Sequence, residues 1–313
     1  MRTLVAGAVA APWVVWAVVR TFGVELPYPF VAVLAFTPYA ALSSWLPVAV
    51  GLVARRWVVA GVAGVAMLAF AFALVPRAVG GPDRDAAGPR LVVMTSNVYL
   101  GRGDPRALLR IAREHDVDVL SLQELRPEQM TKLDRVGAKT AFPQRAVEPG
   151  QGASGTGVLS RLPVLARDTA PDVTGHAEPE VLLDVRGAPP VRLKAVHPAP
   201  PVSSFAAPRW SDALAALPGS DGRGDVRILA GDFNATLDHV ELRRLLARGY
   251  TDAADAAGKG WIWTWPALPR RALPITIDHI LVDKRVEVER VTVVRIPGSD
   301  HRAIIATLRL PKG

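Results

Sequence analysis

Hydrophobic positions follow two different patterns along the chain. Over roughly the first 75 residues charge is almost absent, and three apolar runs stand out, at 4–19, 30–53 and 57–75. A helix rises about 1.5 Å per residue, so about 20 apolar residues cross the hydrocarbon core of a bilayer. The run at 57–75 meets that length without interruption, while the one at 30–53 is broken by Pro38, Ser43, Ser44 and Pro47. The run at 4–19 is slightly short and also has the look of a signal-peptide core. No convincing cleavage site followed by polar sequence accompanies it, so a helix is preferred. The expectation is a membrane anchor over residues 1–76 with about three transmembrane helices. Trp13, Trp16, Trp45 and Trp57 lie near the run ends or kinks, where interfacial aromatics are enriched.

After residue 90 the pattern changes to short apolar runs bounded by turn residues. Strands are expected at 91–95, 117–122, 158–160, 180–185, 191–197, 226–230, 275–282, 286–296 and 303–310. Asp104 and Pro105 supply an N-cap and a first-turn proline for a helix carrying Ala107, Leu108, Ile111 and Ala112. Further helices are expected at 211–217 and at 237–247, the latter capped by Thr236 or Asp238. The Gly-, Pro- and Asp-rich stretch 77–90 reads as a flexible linker, leaving 91–313 as a second domain. Asn97, Glu124, His197, Asp232, Asn234, Asp278, Asp300 and His301 each stand at or just beyond the end of an apolar strand. Strand ends are where a rigid scaffold presents polar side chains to a shared site.

The net charge of +8 changes this picture little, because it is divided. Residues 1–90 hold seven Lys/Arg against three Asp/Glu, and residues 91–313 hold thirty against twenty-six. A mild surplus over a domain of that size demands no polyanionic partner. The absence of cysteine excludes disulfides, thiolate metal sites and a cysteine nucleophile. Arg55 and Arg56 form the one paired cation between apolar runs, and Arg2 precedes the first. Placing both on the cytoplasmic side sends the third run outward, which makes this a multi-pass plasma-membrane protein whose second domain is extracytoplasmic.

The polar residues at the strand ends suit phosphate-ester hydrolysis. That reaction needs charge neutralisation on the non-bridging oxygens, an activated water and help for the leaving group. Glu124 is the best candidate for a primary metal ligand, with Asn97 offering a neutral carbonyl oxygen to the same ion and Asp300 a third contact. Hard oxygen ligands of this kind suit Mg2+ or Mn2+. Read singly, each residue has a plainer account: a surface glutamate, a capping asparagine, a turn aspartate. Two of the six histidines, His197 and His301, fall among these strand ends; a lone histidine there is usually structural, and it is the motifs around these two that carry their reading as phosphate-oxygen donors or a general acid. Asp278 is positioned to fix the His301 tautomer. His279 would point to the opposite strand face, and His115, His176 and His239 are read as structural.

Taken together, the segments SNV (96–98), LQE (122–124), GVLSR (157–161), VHPAP (196–200), GDFN (231–234), IDHILV (277–282) and SDH (299–301) occur in the order of the endonuclease/exonuclease/phosphatase superfamily. The resemblance covers residues 90–313, and the chain looks like the membrane-anchored actinobacterial branch, connected with glycopeptide resistance and cell-envelope lipids. It implies an α+β fold, a four-layer α/β/β/α sandwich of two mixed sheets, here preceded by transmembrane helices. It also implies that Asp232 and Asn234 activate and orient the attacking water. Two features depart from the family: Glu148 is a poor match for the acid that pairs with the first histidine, and GTGVLSR lacks the Asn often found before its apolar strand. The WIWTW segment (261–265) is either a strand with one aromatic face in the core or a substrate wall near lipid. For substrate, the anchor favours a membrane-associated phosphate ester, such as a lipid-linked (pyro)phosphate. An extracellular nuclease and a catalytically inactive binding module are the alternatives, and the mild domain charge counts against nucleic acid.

Overall fold

The computed structural model describes residues 2–81, 87–268 and 272–313. Residues 82–86 of the expected linker lie outside the described residues. The apolar amino-terminal region forms helices α1 (Arg2–Phe22), α2 (Phe30–Val33), α3 (Thr37–Ser43), α4 (Trp45–Val53) and α5 (Trp57–Leu74). Two helices, Thr3–Phe22 and Trp57–Ala78, are long and apolar enough to cross a membrane. A third candidate is the pair Phe30–Ser43 and Trp45–Val53, bent by 45°. The bend falls where the sequence places Pro47 and the Ser43-Ser44 pair, residues that weaken the helical hydrogen-bond ladder. The Trp13 indole N–H bonds Ala40 O (3.1 Å) and that of Trp16 bonds Thr37 Oγ1 (3.0 Å), so both reach into the broken segment and tie it to α1.

Beyond the anchor the order is β1 (Arg90–Asn97), α6 (Pro105–Glu114), β2 (Val119–Gln123), α7 (Pro127–Arg135), α8 (Ala138–Ala141), β3 (Gln144–Glu148), β4 (Thr156–Ser160), β5 (Val164–Pro171) and β6 (Ala177–Leu183). It continues with β7 (Val191–Val196), α9 (Ala206–Ala216), β8 (Val226–Asp232), α10 (Val240–Ala247), β9 (Tyr250–Asp252), α11 (Ala253–Ala256), β10 (Asp278–Asp283), β11 (Glu287–Arg295) and β12 (Arg302–Arg309). Two six-stranded sheets result, β11-β12-β1-β2-β4-β3 and β5-β6-β7-β8-β10-β9. Each is mixed, with one parallel pair, β1–β2 or β7–β8.

Three apolar clusters give the layering. Leu91, Val93, Val158, Leu193, Ile228 and Ile280 belong to the core between the sheets. The outer face of the first sheet is covered by Leu108, Leu109, Met130 and Leu133 of α6 and α7. The outer face of the second packs on Trp210 and Leu214 of α9 and Leu242 and Leu245 of α10. This is the four-layer α/β/β/α arrangement. The N-cap at Asp104 is present, its side chain accepting from Ala107 N at 2.8 Å.

Some expectations need correction. The helix expected at 237–247 begins at Val240, and neither Thr236 nor Asp238 caps it. The Asp238 carboxylate is instead taken by Arg20 (3.0 Å) and Arg77 (2.7 Å). An ion pair with two guanidiniums outweighs a neutral cap bond. The WIWTW segment is not a strand, since only Trp265 makes a bridge, to Ile275.

Arg77, at the start of the expected linker, is packed rather than free. Gly81 N also donates to Ala256 O (2.9 Å). The junction carries more bonds: His239 Nε2 lies 3.0 Å from Val31 O, Tyr39 Oη donates to Pro274 O (2.8 Å), and Trp261 Nε1 donates to Leu74 O (2.9 Å). Val31 inserts into the same cluster as Trp210 and Phe233.

Candidate active site

All eight residues singled out from the sequence converge at one end of the facing sheets. The antiparallel register of β8 and β10 sets Asp232 opposite Asp278. The parallel register of β7 and β8 sets Val196 beside Gly231, which brings His197 next to Asp232. That approach needs glycine, because a Cβ at position 231 would lie 1.9 Å from Val196 O. Asp300 and His301 immediately precede β12, and Ser299 Oγ, donating to Asn97 O at 2.7 Å, ties their turn to the end of β1.

Glu124, His197, Asp232, Asn234, Asp300 and His301 line one cavity of about 420 Å³. Asn97 and Asp278 lie just behind it. The Asn97 amide donates to Glu124 Oε1 (3.1 Å) and Asp232 Oδ2 (3.0 Å), while its Oδ1 accepts from Tyr99 N (2.9 Å). Carboxylates only accept, so the amide must present Nδ2 to them. Asn97 thereby bridges the two acids. Glu124 has φ 56° and Asn234 φ 49°. A glutamate held in the left-handed region costs on the order of 1 kcal/mol or more, a strain that clusters at functional sites. It aims Oε2 at Leu100 N (2.7 Å).

The electrostatics follow from burial. Asp232 is pushed up to about 7 by burial and by the Asp278 charge. For His301 burial opposes protonation, but the Asp278 and Asp232 carboxylates prevail and raise it to about 10. Its Nδ1 is 2.9 Å from Asp278 Oδ2 and its Nε2 is 3.8 Å from Asp232 Oδ2. His197 is held well below the usual imidazole range by burial, then by the His176 and His301 rings, so it is neutral. Its Nε2 is also 3.8 Å from Asp232 Oδ2.

The donor set fits a hard divalent cation. Four acids, Glu124, Asp232, Asp278 and Asp300, gather around one cationic imidazole, and Asp278 Oδ1 is buried with no hydrogen-bond partner among the described residues. Asp232, Asp278 and His301 can each offer an atom within 4.8 Å of the others. Asp278 Oδ2 already engages the His301 ring, whereas Glu124 and Asp300 open onto the cavity itself.

Several lining residues were not legible from sequence. His176, read as structural, lines the cavity, with Nδ1 2.7 Å from His197 O. The acid at the His197 main chain is Glu178, whose Oε1 accepts from His197 N at 3.3 Å, and the acid beside its ring is Asp232. Trp265 reaches the site and donates to Asp300 Oδ2 (3.2 Å). Ala32, Ala35 and Phe36 come from the anchor, and their apolar run carries no signal that it meets a catalytic pocket. His279 points away, bonded to Asp252 Oδ2 (2.7 Å) and Ala235 O (2.8 Å), as strand alternation requires.

Residues 94–301 match a family model described as the endonuclease/exonuclease/phosphatase family. Among solved structures, the fold is similar to an endonuclease/exonuclease/phosphatase from Beutenbergia cavernae DSM 12333 (20% identity, 71% of this chain and 72% of that chain, TM-score 0.57). It is also similar to D. rerio TDP2 complexed with single strand DNA product (18% identity, 70% and 98%, TM-score 0.58). A third is a family protein from Leptotrichia buccalis C-1013-b (16% identity, 70% and 99%, TM-score 0.52). No curated protein matches the sequence.

Proposed function

Because the chain belongs to the endonuclease/exonuclease/phosphatase family, we propose that it is a metal-dependent phosphoric ester hydrolase acting at the outer face of the plasma membrane. The observation that carries this reading is the convergence of Glu124, Asp232, Asp300, His197 and His301 on one cavity. Glu124 and Asp300, with Asn97 bridging Glu124 to Asp232, would hold Mg2+ or Mn2+, which supplies charge neutralisation for the phosphate. Asp232 takes the proton of the attacking water and Asn234 orients that water. Asp232 suits the task because a base titrating near neutral pH is both available and strong enough. His301, held as an imidazolium by Asp278, donates to a non-bridging or leaving-group oxygen, and neutral His197 donates to another.

The domain division proposed is an anchor at 1–76, a linker at 77–90 and a catalytic domain at 91–313. The orientation is supported by the arrangement of helix ends. The carboxyl ends of α1 and α5 meet the catalytic domain through Arg20 and Leu74, so the Arg55-Arg56 turn is at the other side, and paired cations favour the cytoplasm. The substrate proposed is a membrane-associated phosphate ester, a lipid-linked (pyro)phosphate of the cell envelope, as in the membrane-anchored actinobacterial branch that the sequence resembles. A nuclease reading has one observation in its favour, the likeness to a TDP2 complexed with single strand DNA product.

The test is to incubate the full chain in detergent with Mg2+ and three substrates: plasmid DNA, a lipid pyrophosphate and a generic phosphodiester. Cleavage of the lipid pyrophosphate is expected. Cleavage of DNA alone would establish the nuclease, and inertness toward all three would leave a binding module.

A further inference from the structure

The wall of the cavity facing the acids is apolar and has two sources. Pro200, Pro201 and Val202 come from the loop after β7, and Ala32, Ala35 and Phe36 from the bent segment of the anchor. The loop carries its apolar side chains outward, with Val202 67% and Phe205 75% exposed. A second cavity of about 220 Å³ adjoins the first, with Ala35 and Ile275 lining both. Its remaining surface includes Leu42 and Tyr39 of α3, Leu74 at the end of α5, and Trp261 and Trp263. Among the described residues the one cation lining it, Arg77, is paired with Asp238. Leu42 itself is 66% exposed, and Trp45 and Leu46 at the start of α4 are exposed as well. One end of the pair of cavities is therefore rich in carboxylate and imidazole, and the other reaches apolar side chains of helices apolar enough to cross a membrane.

We propose that the two cavities are the head and tail ends of one substrate groove, in which the anchor segment Ala32–Phe36 and the Trp261/Trp263 pair receive the hydrocarbon chain of an amphiphilic phosphate ester. This rests on the phosphoesterase reading and adds to it that the anchor is part of the binding site, beyond its role as a tether. The occupant is a hydrocarbon chain because the acid-lined cavity adjoins, through Ala35 and Ile275, one lined by apolar side chains of helices apolar enough to cross a membrane. A soluble phosphate ester would leave those apolar walls unused, whereas each methylene buried there improves affinity roughly fourfold. The groove also accounts for the WIWTW segment: Trp261, bonded to Leu74 O, and Trp263 line the second cavity, while Trp265 lines the first.

The experiment uses the full chain in detergent with Mg2+ and two diesters with a common leaving group, p-nitrophenyl decyl phosphate and p-nitrophenyl ethyl phosphate. The readout is the ratio of kcat/KM for the decyl ester to that for the ethyl ester. Burial of even four methylenes makes this ratio about 100 or more in the wild type. Ala35→Leu, which projects into the wall shared by the cavities, is expected to lower the ratio at least about tenfold. Ala35→Val is a milder insertion should the larger one disturb folding. Comparing proteins cancels partition of the decyl ester into micelles. A wild-type ratio near one overturns the groove whatever the variants do, and an unchanged ratio in a variant that still turns over the ethyl ester overturns its location. Turnover of neither ester, together with inertness toward the lipid pyrophosphate, removes the phosphoesterase reading and the groove with it.

Discussion

Asp232 stands opposite Asp278 in an antiparallel pair, and that adjacency, with burial, holds it at about 7. Its sequence context, Asp-x-Asn after a strand, marked it as a candidate, but its charge state depends on Asp278, 46 positions away in the chain. Replacing Asp232 by Ala is expected to lower the rate by at least about 100-fold with the fold intact, the scale of losing one catalytic group. An unchanged rate in a kinetic assay would mean that another group is the base. The sign of the pH dependence follows from the same burial. Asp232 must be ionised to accept a proton, so kcat/KM rises with pH and its acid limb falls at or below about pH 7, since any cation brought beside it moves the limb downward. A limb above pH 8 would sink the assignment. Asp278 and His301 were likewise visible as residue types. Which of the six histidines would be cationic, neutral or merely structural was not, because that is set by partners brought in from other strands.

At the scale of elements, the strands buried on both faces were readable as continuous apolar runs, and β1, β2, β7, β8 and β12 lie within two residues of their expected bounds. The edge strands β3, β5 and β9 gave no such signal. β5 is exposed along nearly its whole length, so its residues carry no burial pattern to read. The helix at Pro127–Arg135 was also not read; it buries only Gln129, Met130 and Leu133. Gly231 shows an element-level constraint with a residue-level cause. Gly231→Ala is expected to push β7 and β8 apart, costing about 1–3 kcal/mol. Thermal unfolding should show a lower Tm, with activity falling further because His197 and Asp232 separate. An unaltered Tm would mean that the strands yield without strain.

At the scale of the whole molecule, the apolar amino-terminal segment and the two-sheet sandwich share a buried ion-pair cluster. The Asp238 side chain is fully buried between Arg20 and Arg77. Asp238→Ala leaves two mostly buried guanidiniums unpaired and is expected to cost about 3–5 kcal/mol. Burial alone would raise its carboxyl, but the two arginines more than offset that and lower it from 3.8. The junction is therefore strongest above about pH 4 and weakens as pH falls through the still lower folded value. Thermal unfolding in detergent should show that acid loss in the wild type and not in Asp238→Asn; a loss of equal size in both would place the acid sensitivity elsewhere. For topology, a reporter active only outside the cytoplasm, fused at the carboxyl end, is expected to be active, and a silent reporter would reverse the orientation. The sequence alone was sufficient for the apolar helices and the eight polar residues at strand ends, because hydrophobic period and local turn chemistry are properties of neighbours in the chain; the sandwich of two mixed sheets was implied by the resemblance of its motifs to the family. Only the tertiary structure decided the protonation states, the use of Asp238 as a lock, and the anchor's place in the cavity wall. Each of these is a contact between residues far apart in the chain, and its strength depends on how much water the fold excludes.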